Sequence, residues 1–448
     1  MKKLIIYTSL SIFILSGCAK KLEVLPTQSI DETEVFTSDA NIKAALNGAY
    51  DAASSGSVLG GDMQMYSELL GSDDEVRWAG TFNDPREIWR KAIPTNNDYV
   101  RFTWTESYKA INICNNILNA IDIVNEDDRD RVKGEALFLR GTIYFGLVEL
   151  YAKPYSTGNA ASSPGLQIVT TPTVGNITDA NFVPRSTVQA TYDQIISDLT
   201  TAKGLLPAEN GVYANTFAAS AILSRVYLQM ADYAKARDEA TSIIDSPDSP
   251  YFLESSYANA FNNSSNSSED IFAIQVSDKD GANDMHLHWS IPEFGARDGD
   301  VDIEETHLDL YYDSDDTRLA LFYLDDQGIY RSGKWKLQFK NIPIVRLAEM
   351  YLTRAEALVR LGAPGDGDAD LKMITDRAQI DPIAGATIAD ILLQRRLELA
   401  HEGQRVQDIK RLKGSADGFE WDANEMVFPI PLREINASKG ALTQNDGY

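Results

Sequence analysis

The strongest constraint on this chain is the spacing of its apolar residues, which keeps to helical intervals over most of its length. Trp104, Tyr108, Ile111, Cys114, Leu118 and Ile121 recur at steps of three and four, and so do Val132, Ala136, Leu139, Ile143, Leu147 and Leu150. Such steps put one side chain per turn on the same face of an α-helix, so each run predicts a helix with a buried stripe. Ile42, Leu46, Ala49 and Ala53 make a shorter stripe behind a Ser38/Asp39 start signal. Pro184 precedes a capping box, Ser186 with Gln189, opening a helix that carries Val188, Tyr192, Ile195 and Leu199. Further helices are predicted over 217–230, 233–244, 343–361 and 387–400, against few strand signals, at 271–276 and 329–339. The expected fold class is mainly α.

The pair 217–244 looks like a tetratricopeptide hairpin: Leu223 and Tyr227 lie in its first helix, and Tyr233, Ala236, Ala240 and Pro247 follow at that repeat's spacing. Alanines let two helices approach closely while tyrosines fill the groove between hairpins. The other pairs lack a clean period of about 34 residues, so they read as degenerate hairpins separated by insertions. Two stretches, 56–97 and 246–341, show no helical pattern and are too long for mere connectors. Long excursions from a rigid scaffold are where binding sites are built.

Residues 1–18 set the destination. Lys2 and Lys3 head an apolar run over 4–15, and Leu15-Ser16-Gly17-Cys18 closes it. A basic head, a short apolar stretch and small residues before a cleavage point make an export signal. A cysteine placed directly after it is the pattern of a bacterial lipoprotein, with Cys18 as the acylated first residue. The expected organisation is a signal over 1–17 and a single domain over 18–448. Cys114 is the only other cysteine and lies in an apolar helical stripe, so it reads as a small buried hydrophobe. The formal charge is −25, and −27 once the two lysines leave with the signal. A field of that sign repels nucleic acid and anionic lipid.

No GxSxG, HExxH, Walker or dinucleotide motif occurs, and no cofactor or metal is expected. His286 and His288 on a strand would share one face and could hold zinc, but a third ligand is missing and a polar surface pair is preferred. Asp298-x-Asp300-x-Asp302 and Asp366-x-Asp368-x-Asp370 have alternating carboxylates without the remaining EF-hand positions, and read as solvated surface. Arg346, Glu349, Glu356, Arg396, Glu398 and Arg405 lie on packed helix faces, where mutual pairing is preferred to acid–base catalysis. Sugar recognition needs flat apolar faces beside planar hydrogen-bonding groups. The first excursion offers Asp73, Asp74, Arg77, Trp78, Phe82 and Asn83; the second offers Trp289 with His288, Glu293 and Arg297, then Tyr311 and Tyr312. Trp89, Trp104 and Trp335 read as scaffold.

Several segments, in order, resemble the SusD/RagB family. They are Trp104-x3-Tyr108-x2-Ile111-x3-Asn115, the run Lys133-Gly134-Glu135-Ala136-Leu137-Phe138-Leu139-Arg140, and Tyr151-x2-Pro154-Tyr155. Arg185-Ser186-Thr187-Val188, Asn341-Ile342-Pro343-Ile344-Val345-Arg346 with Ala355-Glu356-Ala357, Glu402-Gly403-x-Arg405-x2-Asp408 and Phe428-Pro429-Ile430-Pro431 follow. His401 and Gln404 depart from the commoner aromatic and His at those points, a change expected to affect packing. The resemblance implies a SusD-like fold and no enzymatic activity. It implies capture of an oligosaccharide at the cell surface and delivery to a SusC-like TonB-dependent transporter, with the lipid anchor in the outer membrane. The alternative is a peptide- or protein-binding lipoprotein of a nutrient uptake system. By position it implies ligand contacts at Trp78 and Trp289, within the set Asp73, Asp74, Arg77, Trp78, Asn83, Trp289, Arg297 and Tyr311.

Overall fold

The computed structural model describes residues 36–448 except 176 and 282. The signal segment and Cys18 lie outside the described residues. Among these residues there are fifteen α-helices: α1 Asp39–Ser54, α2 Asp62–Leu70, α3 Asn83–Trp89, α4 Asp98–Asn119, α5 Glu126–Tyr151, α6 Val188–Leu205, α7 Thr216–Gln229, α8 Tyr233–Ile244, α9 Asp284–Trp289, α10 Glu305–Leu308, α11 Leu347–Arg360, α12 Pro364–Ala378, α13 Ile388–Glu398, α14 Arg405–Leu412 and α15 Leu432–Ala437. The strands are short: β1 Val76–Trp78, β2 Pro164–Gln167, β3 Arg185–Thr187, β4 Asp270–Ile274, β5 Val301–Ile303, β6 Phe322–Leu324, β7 Tyr330–Ser332, β8 Ile342–Arg346, β9 Ser415–Ala416 and β10 Phe419–Glu420. No described helix is long and apolar enough to cross a membrane.

The long helices stack in succession, α1 on α4, α4 on α5, α5 on α6, α6 on α7, α7 on α8, α8 on α11 and α11 on α12. This is the hairpin scaffold that the apolar spacing predicts. The N-cap of α4 is Asn97, whose side chain accepts from the Val100 amide at 3.0 Å, and three acids in the first turn of α5 complement its dipole. The middle of α5 is buried on every side from Gly134 to Phe145. Gly141 is needed there, because a β-carbon would come within 3.0 Å of the Leu199 side chain on α6. In α7 and α8 the alanines 218, 219, 221, 236 and 240 are fully buried, so the two axes close up as that composition predicts. Cys114 is free and buried, and burial pushes its thiol up to about 12. Trp104 and Trp335 are buried as scaffold, and Trp89 donates Nε1–H to the Val76 carbonyl at 3.1 Å.

Seven expectations need correction. Residues 343–346 are not helical but complete β8, paired antiparallel with β4, and the helix begins at Leu347. Ladder bonds to Asp270–Ile274, which sequence spacing cannot show, outweigh the helical pattern. Ser186 is not the cap of α6; it sits in β3, and Thr187 caps instead, accepting from the Ala190 amide at 3.1 Å. The segment 56–97 contains α2 and α3, and 329–339 is extended only at β7 before a 3₁₀ turn. His286 and His288 lie on α9, not a strand, and both are buried: His286 Nδ1 meets the Trp335 carbonyl and His288 Nδ1 meets Asp300. Asp366, Asp368 and Asp370 open α12; Asp370 is buried against Arg354 at 2.7 Å, and Asp368 accepts from the Gly385 and Ala386 amides. Asp300 and Asp302 are buried too.

The packed charges pair as expected. Arg346 meets Glu269 at 2.7 Å and Glu402 at 2.6 and 2.7 Å, with Glu398 at 3.3 Å. Glu349 is held by Arg225, and Glu356 by Arg360 and Arg411. Arg396 and Arg405 both reach Glu75. Inside a protein such charges are tolerable when they are paired with one another, as here.

Candidate functional site

The two long excursions meet. Strand β1 from the first pairs antiparallel with β5 from the second, in the register Val76↔Ile303, Arg77↔Asp302, Trp78↔Val301, and β7 and β6 extend the sheet in the order β1-β5-β7-β6. The period of two along β1 turns Val76 and Trp78 inward and Arg77 outward. Arg77 is half exposed, bonded to Asp302 opposite it and to Glu304 at 3.0 Å.

Beyond β1 the chain makes a tight loop. The Ala79 and Gly80 amides both donate to the Asp300 carbonyl, at 2.8 and 3.0 Å, and Arg86 holds the Gly80 carbonyl and Asn83. The Trp78 indole donates to the Phe82 carbonyl at 3.0 Å. These bonds hold Phe82 at the tip, 39% exposed. The Arg297 guanidinium lies 4.1 Å over its ring, and Arg297 is itself fixed by Asp300 at 2.8 Å. Burial alone would raise the Asp300 carboxyl, but hydrogen bonds from His288 and Arg297 outweigh it and hold it below the usual range. Tyr99, half-buried, stands 6.4 Å from Phe82. Burial pushes its hydroxyl up to about 12, so it is a neutral donor. Burial and the nearby Asp62 charge push the carboxyl of Asp284, whose charge Tyr99 feels, up to about 7.

Phe82, Arg297, Asn83, Thr81 and Tyr99 therefore form one surface patch: a flat ring edged by a guanidinium, an amide and hydroxyls. Such a patch can stack on an apolar face and hydrogen-bond the rim around it. Its members come from the loop after β1, the starts of α3 and α4 and the loop before β5.

The structure gathers some of the expected residues and disperses others. Arg77, Trp78, Asn83 and Arg297 lie about this loop. Trp78 is 2% exposed and Trp289 0%, so neither presents a face to solvent, and the flat-platform expectation is corrected for both. Trp78 packs on His288 at 5.4 Å and Trp289 on His401 at 4.7 Å; both fill space under the excursions. Tyr311 is also buried, its hydroxyl donating to the Leu397 carbonyl at 3.2 Å. Asp73 and Asp74 make a left-handed turn before β1, docked on Asp417 through the Asp74 amide and Asp73 Oδ1. Tyr99 and Asp284 were not foreseen. Tyr99 lies between the first excursion and the stripe that starts at Trp104, where no pattern marks it, and only the loop's return brings it to the surface patch. Among the described residues, no group of three or more His, Cys, Asp or Glu could hold a metal ion.

The same architecture recurs in known proteins. A family model described as "Starch-binding associating with outer membrane" matches residues 20–228, and the SusD family model matches 326–428. SusD-like protein P2 of Formosa agariphila is 25% identical, with all of both chains covered. The starch-binding protein SusD of Bacteroides thetaiotaomicron is 33% identical over 122 residues, which is 24% of this chain and 22% of that one. A solved SusD-superfamily protein, also from Bacteroides thetaiotaomicron, superposes with a TM-score of 0.82 at 26% identity, covering 91% of this chain and 99% of the other. Two models matched in chain order, a relative of the same extent and a shared fold agree: the chain belongs to the SusD/RagB family.

Proposed function

We propose that this protein is a non-enzymatic, cell-surface lipoprotein that captures an oligosaccharide and delivers it to a SusC-like TonB-dependent transporter in the outer membrane. The carrying observation is the Phe82–Arg297 patch, an exposed ring with a guanidinium 4.1 Å over it, where the two excursions meet. A pyranose offers an apolar CH face to such a ring and hydroxyls to Arg297, Asn83 and Thr81. Arg77 is the remaining exposed donor nearby. A family model and a relative named for starch binding support the ligand class, and the Leu15–Cys18 pattern supports a lipid tether at Cys18.

Affinity gels and calorimetry against a broad glycan panel test the reading. Binding to at least one glycan, weakened by about 1–3 kcal/mol in Phe82→Ala without a change in melting temperature, is expected for an exposed contact of this kind; Arg297→Ala should weaken binding as well, with a loss of stability because it unpairs the buried Asp300. Uptake of peptides in place of glycans would move the assignment to the peptide-binding alternative. Hydrolysis of a bound glycan over long incubation would make the protein an enzyme.

A further inference from the structure

Asp300 immediately precedes β5 and is 2% exposed, so a molecule lying on the Phe82 patch does not reach its carboxylate. Its polar groups nonetheless bind the parts of that patch together. The amide donates to the His288 carbonyl at 2.9 Å, which ties Asp300 to α9. The carbonyl takes the Ala79 and Gly80 amides, which sets the loop carrying Phe82. One carboxylate oxygen, Oδ2, accepts from His288 Nδ1 at 2.7 Å and from Arg297 Nε at 2.8 Å. The other, Oδ1, lies against Gly80, where a β-carbon would come within 2.4 Å of it. Only glycine at position 80 lets the loop close on the carboxylate.

Arg297 depends on this carboxylate more than its neighbours depend on theirs. Among the described residues Asp300 is its only carboxylate partner, and its one other hydrogen bond is to Thr81 Oγ1 at 3.4 Å. Arg77, by contrast, is shared between Asp302 and Glu304. The Arg297 side chain is 35% exposed, and an arginine in that position samples many rotamers unless something holds it. Held through Nε, the guanidinium keeps its place 4.1 Å over the Phe82 ring. Against the opposing effect of burial, the bonds from His288 and Arg297 keep the Asp300 carboxyl below the usual range, so the hold on Arg297 is charge-assisted. A side chain ordered during folding need not be ordered on binding, and affinity gains by that difference.

We propose that Asp300 is the positioning residue of the patch, fixing Arg297 over Phe82 for a ligand that it never meets. The inference rests on the reading of the patch as a glycan site and goes beyond it in assigning what sets the affinity there.

Calorimetry with a glycan that the wild type binds, at a temperature where every variant is folded, tests it alongside thermal melting. Asp300→Asn keeps the backbone bonds and an acceptor oxygen but removes the charge. It should weaken binding roughly fivefold to tenfold, the difference between a charged and a neutral acceptor. Arg297→Gln should weaken binding at least as much, and the double variant no more than Arg297→Gln alone, because one residue acts through the other. Gly80→Ala changes no charge and no donor, and should weaken binding by displacing the carboxylate. The Arg297 Nε–H signal in nitrogen NMR spectra should move in Asp300→Asn and in Gly80→Ala. Asp198→Asn breaks a comparable buried pair with Arg140 in the helical scaffold, and should lower the melting temperature with binding unchanged. The inference is overturned if Asp300→Asn melts early but binds as wild type, or if its loss and that of Arg297→Gln add in full. Should Asp300→Asn not fold, Gly80→Ala decides, and wild-type affinity in that variant overturns the inference. Wild-type protein that binds no glycan overturns the reading of the patch and this inference with it; wild-type binding that Asp300→Asn leaves intact overturns the inference alone.

Discussion

Glu68→Gln should make the protein more stable above neutral pH and leave it nearly unchanged in acid. Glu68 lies on α2, 5% exposed, with Oε1 accepting from the Gly403 amide at 2.8 Å and the Gln404 amide at 3.2 Å. Burial dominates its titration: the Gly403 amide and Arg405 pull its carboxyl down and Glu75 pushes it up, with the balance at about 7 against an ordinary 4.5. Between pH 4.5 and about 7 the unfolded chain releases this proton while the folded chain keeps it. The folded state therefore binds more protons in that window, and stability falls as pH rises through it. At about 1.4 kcal/mol per unit, a shift from 4.5 to about 7 sets an upper bound of about 3–4 kcal/mol. Glutamine preserves the Oε1 acceptor and has no charge to bury. Urea unfolding at pH 4.5, 6 and 8 measures the difference, and groups common to both proteins cancel in it. The variant should gain about 1–3 kcal/mol on wild type between pH 4.5 and 8, with unchanged m-values. A difference that stays flat with pH, or a variant that is weaker at pH 8, would show Glu68 ionised in the native state and refute the reasoning.

Trp78→Ala and Trp289→Ala should each cost about 3–5 kcal/mol of stability, because both rings are buried plugs; normal melting with weakened glycan binding would restore the platform reading. Arg346→Met leaves Glu269, Glu398 and Glu402 facing one another and should destabilise by about 3–5 kcal/mol in denaturant titration. Glu402, held at about 2 by Arg346 and Lys334 against the opposing effect of its own burial, stabilises the fold above pH 4.5, and that contribution should fade as acid unfolding proceeds from pH 4.5 towards 2. A Glu402→Gln variant should show a shallower acid limb over that range. Cys18→Ser should shift the protein from the outer-membrane fraction to soluble material or leave its signal uncleaved; unchanged fractionation would assign the tether to protein contact.

The sequence by itself determined the helical scaffold, because a stripe at helical spacing is a local property: α1, α4, α5, α7 and α8 appear where the apolar residues recur. It also determined that Arg346, Glu349 and Glu356 are structural, since charges on packed faces must pair, though not that Arg225, Glu269 and Glu402 would be partners. Only the tertiary structure decided where the candidate site lies. Pairing of β1 with β5 joins segments more than two hundred residues apart, and no local signal carries that register. That pairing turns Trp78 inward and leaves the neighbouring Phe82 outside, so the larger ring became a plug and the smaller one the exposed face. The same holds for His401, whose two unpartnered nitrogens follow from what its fold neighbours fail to offer. Local periodicity reports which residues must be buried; which polar atoms are left without partners depends on distant chain, and is settled only when the chain closes.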